Sequence, residues 1–176
     1  MMMKAIFFSL LLILLLCVMI HPSCSVDNTQ LNNICSQTTS RSFCLQVLKS
    51  DPRTVSSDLN ALGHISVDLA LSKASSVLSH VQSLRRNARE PELKRRLETC
   101  SEYYTSAKSQ LDGAKRSLST RDYARVANGA ANAMEISLGC EDEFEAGPPT
   151  VPELKQMNDE MEGLCSIVYA VVGYMG

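Results

Sequence analysis

The sequence predicts an all-α fold: an antiparallel four-helix bundle preceded by a short N-terminal helical hairpin, with two disulfides. Three observations lead there. Apolar residues recur in steps of three and four along four long segments, the signature of one buried helical face. Aromatic residues make up only 5% of the chain, Trp is absent, and the sparse Gly and Pro cluster near the ends of the periodic stretches. That composition disfavours a β-sandwich. Finally, the connecting segments are short, which makes consecutive helices antiparallel neighbours.

The chain opens on a segment of a different kind. Lys4 precedes AIFFSLLLILLLCVMI, residues 5–20, an uncharged apolar run, and Ser23 and Ser25 flank Cys24 as small residues. This is the pattern of a secretory leader, residues 1–25, with cleavage near Ser25. Residues 26–176 then form one domain, with a hairpin over 26–55 and a bundle over 56–176. Without Lys4 the chain carries 16 basic and 19 acidic side chains, net −3. An exported, acidic chain without a basic, aromatic-studded patch is a poor nucleic-acid binder.

The hairpin holds Leu31, Ile34, Phe43, Leu45 and Leu48 at helical spacing. Asp51-Pro52 closes it, because Pro disfavours helix in the residue before it. Ser56, Ser57 and Asp58 offer caps for a first long helix to about Asn87. Its stripe is ragged: Leu59, Leu62, Ser66, Leu69, Lys73, Val77 and Leu84, with Ile65, Ala70, Leu78 and Val81 beside them. Pro91 suits the first turn of a second helix. Leu93, Leu97, Cys100, Tyr104, Ala107, Leu111, Ala114 and Leu118 form its unbroken seam. A third helix carries Tyr123, Val126, Ala130, Ala133, Ser137 and Cys140, and EDEFEAGPPTVP reads as the loop after it. Leu154, Met157, Met161, Leu164, Val168, Val171 and Met175 mark the fourth.

Five cysteines follow the leader, and an oxidising compartment favours disulfides. Counting alone leaves several pairings open. Helix geometry narrows them. Cys100 and Cys140 each lie 20 residues from the turn near Thr120. At about 1.5 Å per residue, both arms span roughly 30 Å. An antiparallel pair therefore sets Cys100 level with Cys140, a bridge worth about 4 kcal/mol by loop entropy. Cys35 and Cys44 pair locally, worth about 3 kcal/mol. Cys165 remains a free, apolar core thiol.

Catalytic machinery is not recognisable. His64 and His80 lie on the first bundle helix, where they read as exposed side chains, and no nucleophile motif accompanies them. Glu141, Asp142, Glu143 and Glu145 lack the ligand spacing and central Gly of a calcium loop. Neither a cofactor nor a metal is expected.

The cysteine frame resembles that of the plant invertase and pectin methylesterase inhibitor family. ICSQTTSRSFCLQVLKSDPRT (34–54) is similar to its N-terminal signature, and LETCSEYYTSAKSQLDGAK (97–115) to its second motif, C-x-E-x-Y-x-D-A-x-D-x-L. YARVANGAANAMEISLGCEDEFEAGPPTVP (123–152) and MEGLCSIVYAVV (161–172) extend the likeness over the chain after the leader. The resemblance implies a non-catalytic, secreted inhibitor of the cell wall and apoplast. The Gly147–Pro152 loop and the KSDPR run resemble the pectin methylesterase branch. Invertase inhibitors usually carry Pro-Lys-Phe where Tyr123-Ala124-Arg125 stands, so inhibition of acid invertase is the alternative.

The implied mechanism is occlusion of the esterase's pectin-binding cleft by the second and third bundle helices, in a one-to-one complex with a monomeric inhibitor. Off their seams lie Glu98, Ser101, Glu102, Thr105, Ser106 and Ser109 on the second helix. On the third lie Arg125, Asn128, Gly129, Asn132 and Glu135. The expected contacts are Glu98, Glu102, Ser106, Ser109, Asn128, Asn132 and Asp142. Ser106 and Ser109 replace two motif acids, Gly139 replaces the usual Thr, and Ser42 or its neighbour replaces a Pro before Cys44.

Overall fold

The structure is a computed structural model that describes residues 25–145 and 151–176. The expected leader, apart from Ser25, and most of the expected Gly147–Pro152 loop lie outside the described residues. Among the described residues six α-helices follow in order: α1 (Asn28–Cys35), α2 (Arg41–Ser50), α3 (Leu59–Asn87), α4 (Pro91–Ser119), α5 (Tyr123–Glu145) and α6 (Pro152–Gly173). A 3-10 turn, Pro52–Ser56, links α2 to α3.

Short polar side chains start these helices by accepting from otherwise unsatisfied backbone N–H groups. Asp27 accepts from Gln30 N at 2.7 Å, and Asp58 from Ala61 N at 2.7 Å. Asp122 accepts from Arg125 N at 3.1 Å. Pro91 and Pro152 open α4 and α6 at positions where a missing N–H costs nothing. Between α4 and α5 the chain reverses through Arg121, whose φ of 57° lies in the left-handed region.

The four long helices close a ring in which α3 packs on α4, α4 on α5, α5 on α6 and α6 on α3. Leu62, Val77, Leu97, Leu111, Leu154 and Met161 are fully buried at its centre. Each such side chain contributes about 1.5–3 kcal/mol on leaving water. Tyr104 donates its hydroxyl to Asn158 Oδ1 at 2.7 Å, so α4 and α6 share a satisfied polar contact inside the core. Burial, and secondarily the Cys165 and Glu141 side chains, pushes the Tyr104 phenol well above its ordinary range.

The hairpin lies on α6. The Phe43 ring sits against Gly163, Thr39 N donates to Ser166 Oγ at 3.0 Å, and Gln37 donates to the Tyr174 hydroxyl at 3.1 Å. Hence α6 is buried on two sides, and every residue from Gly163 to Val168 is inside. An ion-pair chain ties the other end down. Arg53 meets Asp51 at 2.7 Å and Asp68 of α3 at 3.2 Å, and Lys115 of α4 meets Asp68 at 2.7 Å.

Three expectations need correction. The acidic segment Glu141–Glu145 is helix rather than loop. Glu141 pairs with Lys155, Glu143 with Arg95 at 3.5 Å, and Phe144 packs on the core, so α5 gains partners by continuing. On α3 the core position is Ala74, which is fully buried. Lys73 instead leaves the stripe to pair with Glu160 of α6. His64 and His80 are half-buried rather than exposed, because α3 is flanked by α4 and α6.

Candidate functional site

The α4–α5 pair is the most closely joined part of the bundle. Cys100 and Cys140 form a disulfide with their Cα atoms 4.8 Å apart. Cys35 and Cys44 form the second, at 5.5 Å, and Cys165 is a buried free thiol. Glycine lets the helices approach. A Cβ at Gly129 would stand 3.0 Å from the Gln110 carbonyl oxygen and 3.1 Å from the Ala114 Cβ. A Cβ at Gly139 would stand 3.2 Å from the Tyr103 ring. Two rods welded at one level and in near contact at two others make a stiff platform, which limits the entropy lost on docking.

All seven expected contact residues are exposed. The register set by the disulfide places Glu98 and Asp142 toward one end of the pair. Gln110, which meets Gly129 and accepts a 3.5 Å hydrogen bond from Asn132, marks the other end, shared by Ser109, Asn128 and Asn132. Ser106 lies between.

The seven are not one continuous patch. Glu98 is turned toward α3, where it pairs with Arg85. With Gln82 and Arg85, the residues Glu98, Glu102, Ser106 and Ser109 border a shallow groove between α3 and α4. Asn128, Asn132 and Asp142 lie on the far side of the α4 crest. Gly129, expected to face outward, is buried in the α4–α5 contact.

Electrostatics divide the face further. Arg95 and Arg96 hold the Glu92 carboxyl down at about 2, mainly through their hydrogen bonds. The strongest charges at the N-terminal end of α4 are thus already paired. Glu102 and Asp142 form no ion pair among the described residues and are open to a basic partner. Among the described residues no group of three or more His, Cys, Asp or Glu is placed to hold a metal ion.

Periodicity did not point to Tyr103 and Gln110. Both lie on the flank of α4 toward α5, one step off the seam. The signal was present in Gly129 and Gly139: bare positions inside a helix mark places where a neighbour comes close.

Residues 29–171 match the model of the family described as plant invertase/pectin methylesterase inhibitor, so the chain belongs to that family, whose members are inhibitors of enzymes. A pectinesterase inhibitor from Actinidia deliciosa is 40% identical over 171 residues, covering 96% of this chain and 92% of that one. A putative invertase inhibitor from Platanus orientalis is 29% identical over 134 residues, 76% of this chain and 79% of that one. The crystal structure of a mutant form of a pectin methylesterase inhibitor from Arabidopsis superposes with a TM-score of 0.75 at 23% identity. It covers 82% of this chain and 95% of that chain, and shares its fold.

Proposed function

We propose that the chain is a secreted, monomeric inhibitor of pectin methylesterase, acting in the apoplast and cell wall. It lays the outer faces of α4 and α5 across the enzyme's pectin-binding cleft, one inhibitor to one enzyme. The observation that carries this reading is 40% identity to a pectinesterase inhibitor along nearly the whole chain. The locked helix pair supplies the physical means. A stiff helix pair whose Glu102 and Asp142 carboxylates form no ion pair among the described residues suits docking on a protein groove better than binding a small substrate. A standard interface of about 1,600 Å² in total is within reach of two helices of this length. The apolar leader and the two disulfides favour an oxidising, extracellular setting.

Inhibition of acid invertase is the second reading, favoured by the Platanus relative. One experiment separates the two. Purified residues 26–176 are titrated into a pectin methylesterase and into an acid invertase at two pH values. Esterase activity falls to a breakpoint near one equivalent while invertase activity is retained. Inhibition of invertase alone would overturn the assignment.

A further inference from the structure

Tyr103 and Gly139 form a matched pair on the presented face. Tyr103 stands on the α5 flank of α4, and Gly139 lies opposite it, one residue before the disulfide at Cys140. The ring covers the bare Cα closely: a Cβ there would be 3.2 Å from Tyr103 Cζ, 3.4 Å from Cε2 and 3.5 Å from Cε1. The ring is therefore seated on backbone, and a side chain on α5 would lift it. Its hydroxyl has no hydrogen-bond partner among the described residues and is open to water.

Around it the face is largely polar. Thr99 and Ser106 lie one turn away on either side along α4, and Glu135, Asp142 and Glu143 lie one turn from Gly139 on α5. Tyr103 is a half-buried aromatic side chain, central between the Glu98–Asp142 end and the Ser109–Asn132 end. An aromatic ring seated on backbone, with a free polar tip and a rim of polar neighbours, has the properties of an interface anchor. Ordering it on binding costs little, and its hydroxyl gains a partner only in the complex.

We infer that Tyr103, seated on Gly139, is the anchor by which the α4–α5 face engages the target enzyme. Gly139 acts through it, as a positioning residue. The occupant is the rim of the enzyme's substrate cleft, a protein surface with a pocket for one aromatic ring and an acceptor or donor for its hydroxyl. This inference rests on the functional reading above and names the residue at the centre of that contact.

The test measures the dissociation rate and affinity for pectin methylesterase of the unmodified chain and of Tyr103→Ala, Tyr103→Phe, Tyr103→Leu and Gly139→Val. Tyr103→Ala weakens binding about a hundredfold, mostly through faster dissociation. Tyr103→Phe keeps the seated ring and loses about tenfold or less. Gly139→Val lifts the ring and weakens binding about as much as Tyr103→Ala. The double variant Tyr103→Ala/Gly139→Val binds like either single one, since both remove the same contact. Circular dichroism and melting temperature accompany each variant. Tyr103→Leu fills the space over Gly139, so its loss of affinity is counted should Tyr103→Ala fail to fold. A folded Tyr103→Ala or Tyr103→Leu with unchanged affinity overturns the anchor and leaves the inhibitor assignment standing. An unmodified chain that does not bind the esterase overturns both.

Discussion

Gly163 shows how tightly single residues hold the hairpin. A Cβ at this position of α6 would lie 2.6 Å from Phe43 Cε1 and 2.8 Å from Cδ1. Gly163→Ala therefore pushes the Phe43 ring off α6. Overpacking of this kind costs about 1–3 kcal/mol, and the better helix propensity of Ala returns up to about 1. The expected outcome is a net loss of about 1 kcal/mol in urea unfolding, with α3–α6 helicity unchanged by circular dichroism. Cys165 offers a second check at this scale. Burial, with a smaller contribution from the Glu162 carboxylate, pushes its thiol up to about 12. It stays protonated in the folded chain and inert to a thiol reagent at pH 8, while full urea unfolding makes one thiol reactive. Rapid labelling of the folded protein would contradict the packing around α6. Cys165 was legible as a core residue, since it adjoins an apolar seam. Gly163 was not, because the sequence does not say which element lies over a helix.

Among the elements, α4 and α5 carry the account. The bounds of α4, the start of α5, their antiparallel register and the Cys100–Cys140 link were legible, because equal arm lengths on either side of one turn leave a single level at which two cysteines meet. Replacing both with Ser removes a cross-link across a 40-residue separation. The expected loss is up to about 4 kcal/mol of unfolding free energy, with slower, weaker inhibition as the pair loosens. Unchanged inhibition in the doubly substituted chain would mean that stiffness of the pair does not matter. Other elements were less legible. The extension of α5 through Glu141–Glu145 depends on Lys155 and Arg95 reaching those acids from other helices, which no local pattern reports. The stripe on α3 was misread at Lys73, because a long aliphatic stem at a seam position does not reveal that its amine pairs with Glu160. For α6 the seam was found but not its second buried side. Gly163 and Ser166 look solvent-facing until Phe43 and Thr39 are set against them.

For the molecule as a whole, acid tolerance follows from which carboxylates are paired. Asp51 is lowered by its hydrogen bonds to Arg53. Asp68 is opposed by burial but lowered on balance by Lys115 and Arg53. Glu160 is lowered chiefly by Lys73, and Glu92 falls from 4.5 to about 2 beside Arg95 and Arg96. Depressed carboxylates stabilise the fold fully above their unfolded values, and this contribution disappears as pH falls through the folded ones. The melting temperature should therefore hold nearly level from pH 7 to about 5 and decline progressively below about 4.5. Glu92 is exposed and the other three are half-buried, so salt should blunt part of the decline. A melting temperature that rises on acidification would contradict the pairing.

At the same scale, the fold class, the disulfide pairing and the outward placement of the seven expected contact residues were readable. The division of those seven by the α4 crest was not, since it depends on Arg85 drawing Glu98 toward α3. The central claim is that the outer faces of α4 and α5, rather than the hairpin or α6, meet the enzyme. Hydrogen exchange of the chain, free and saturated with pectin methylesterase, tests it most directly. The account predicts added protection within residues 98–110 and 125–142 and little change over 28–50 and 152–173. Added protection confined to the hairpin and α6 would contradict it.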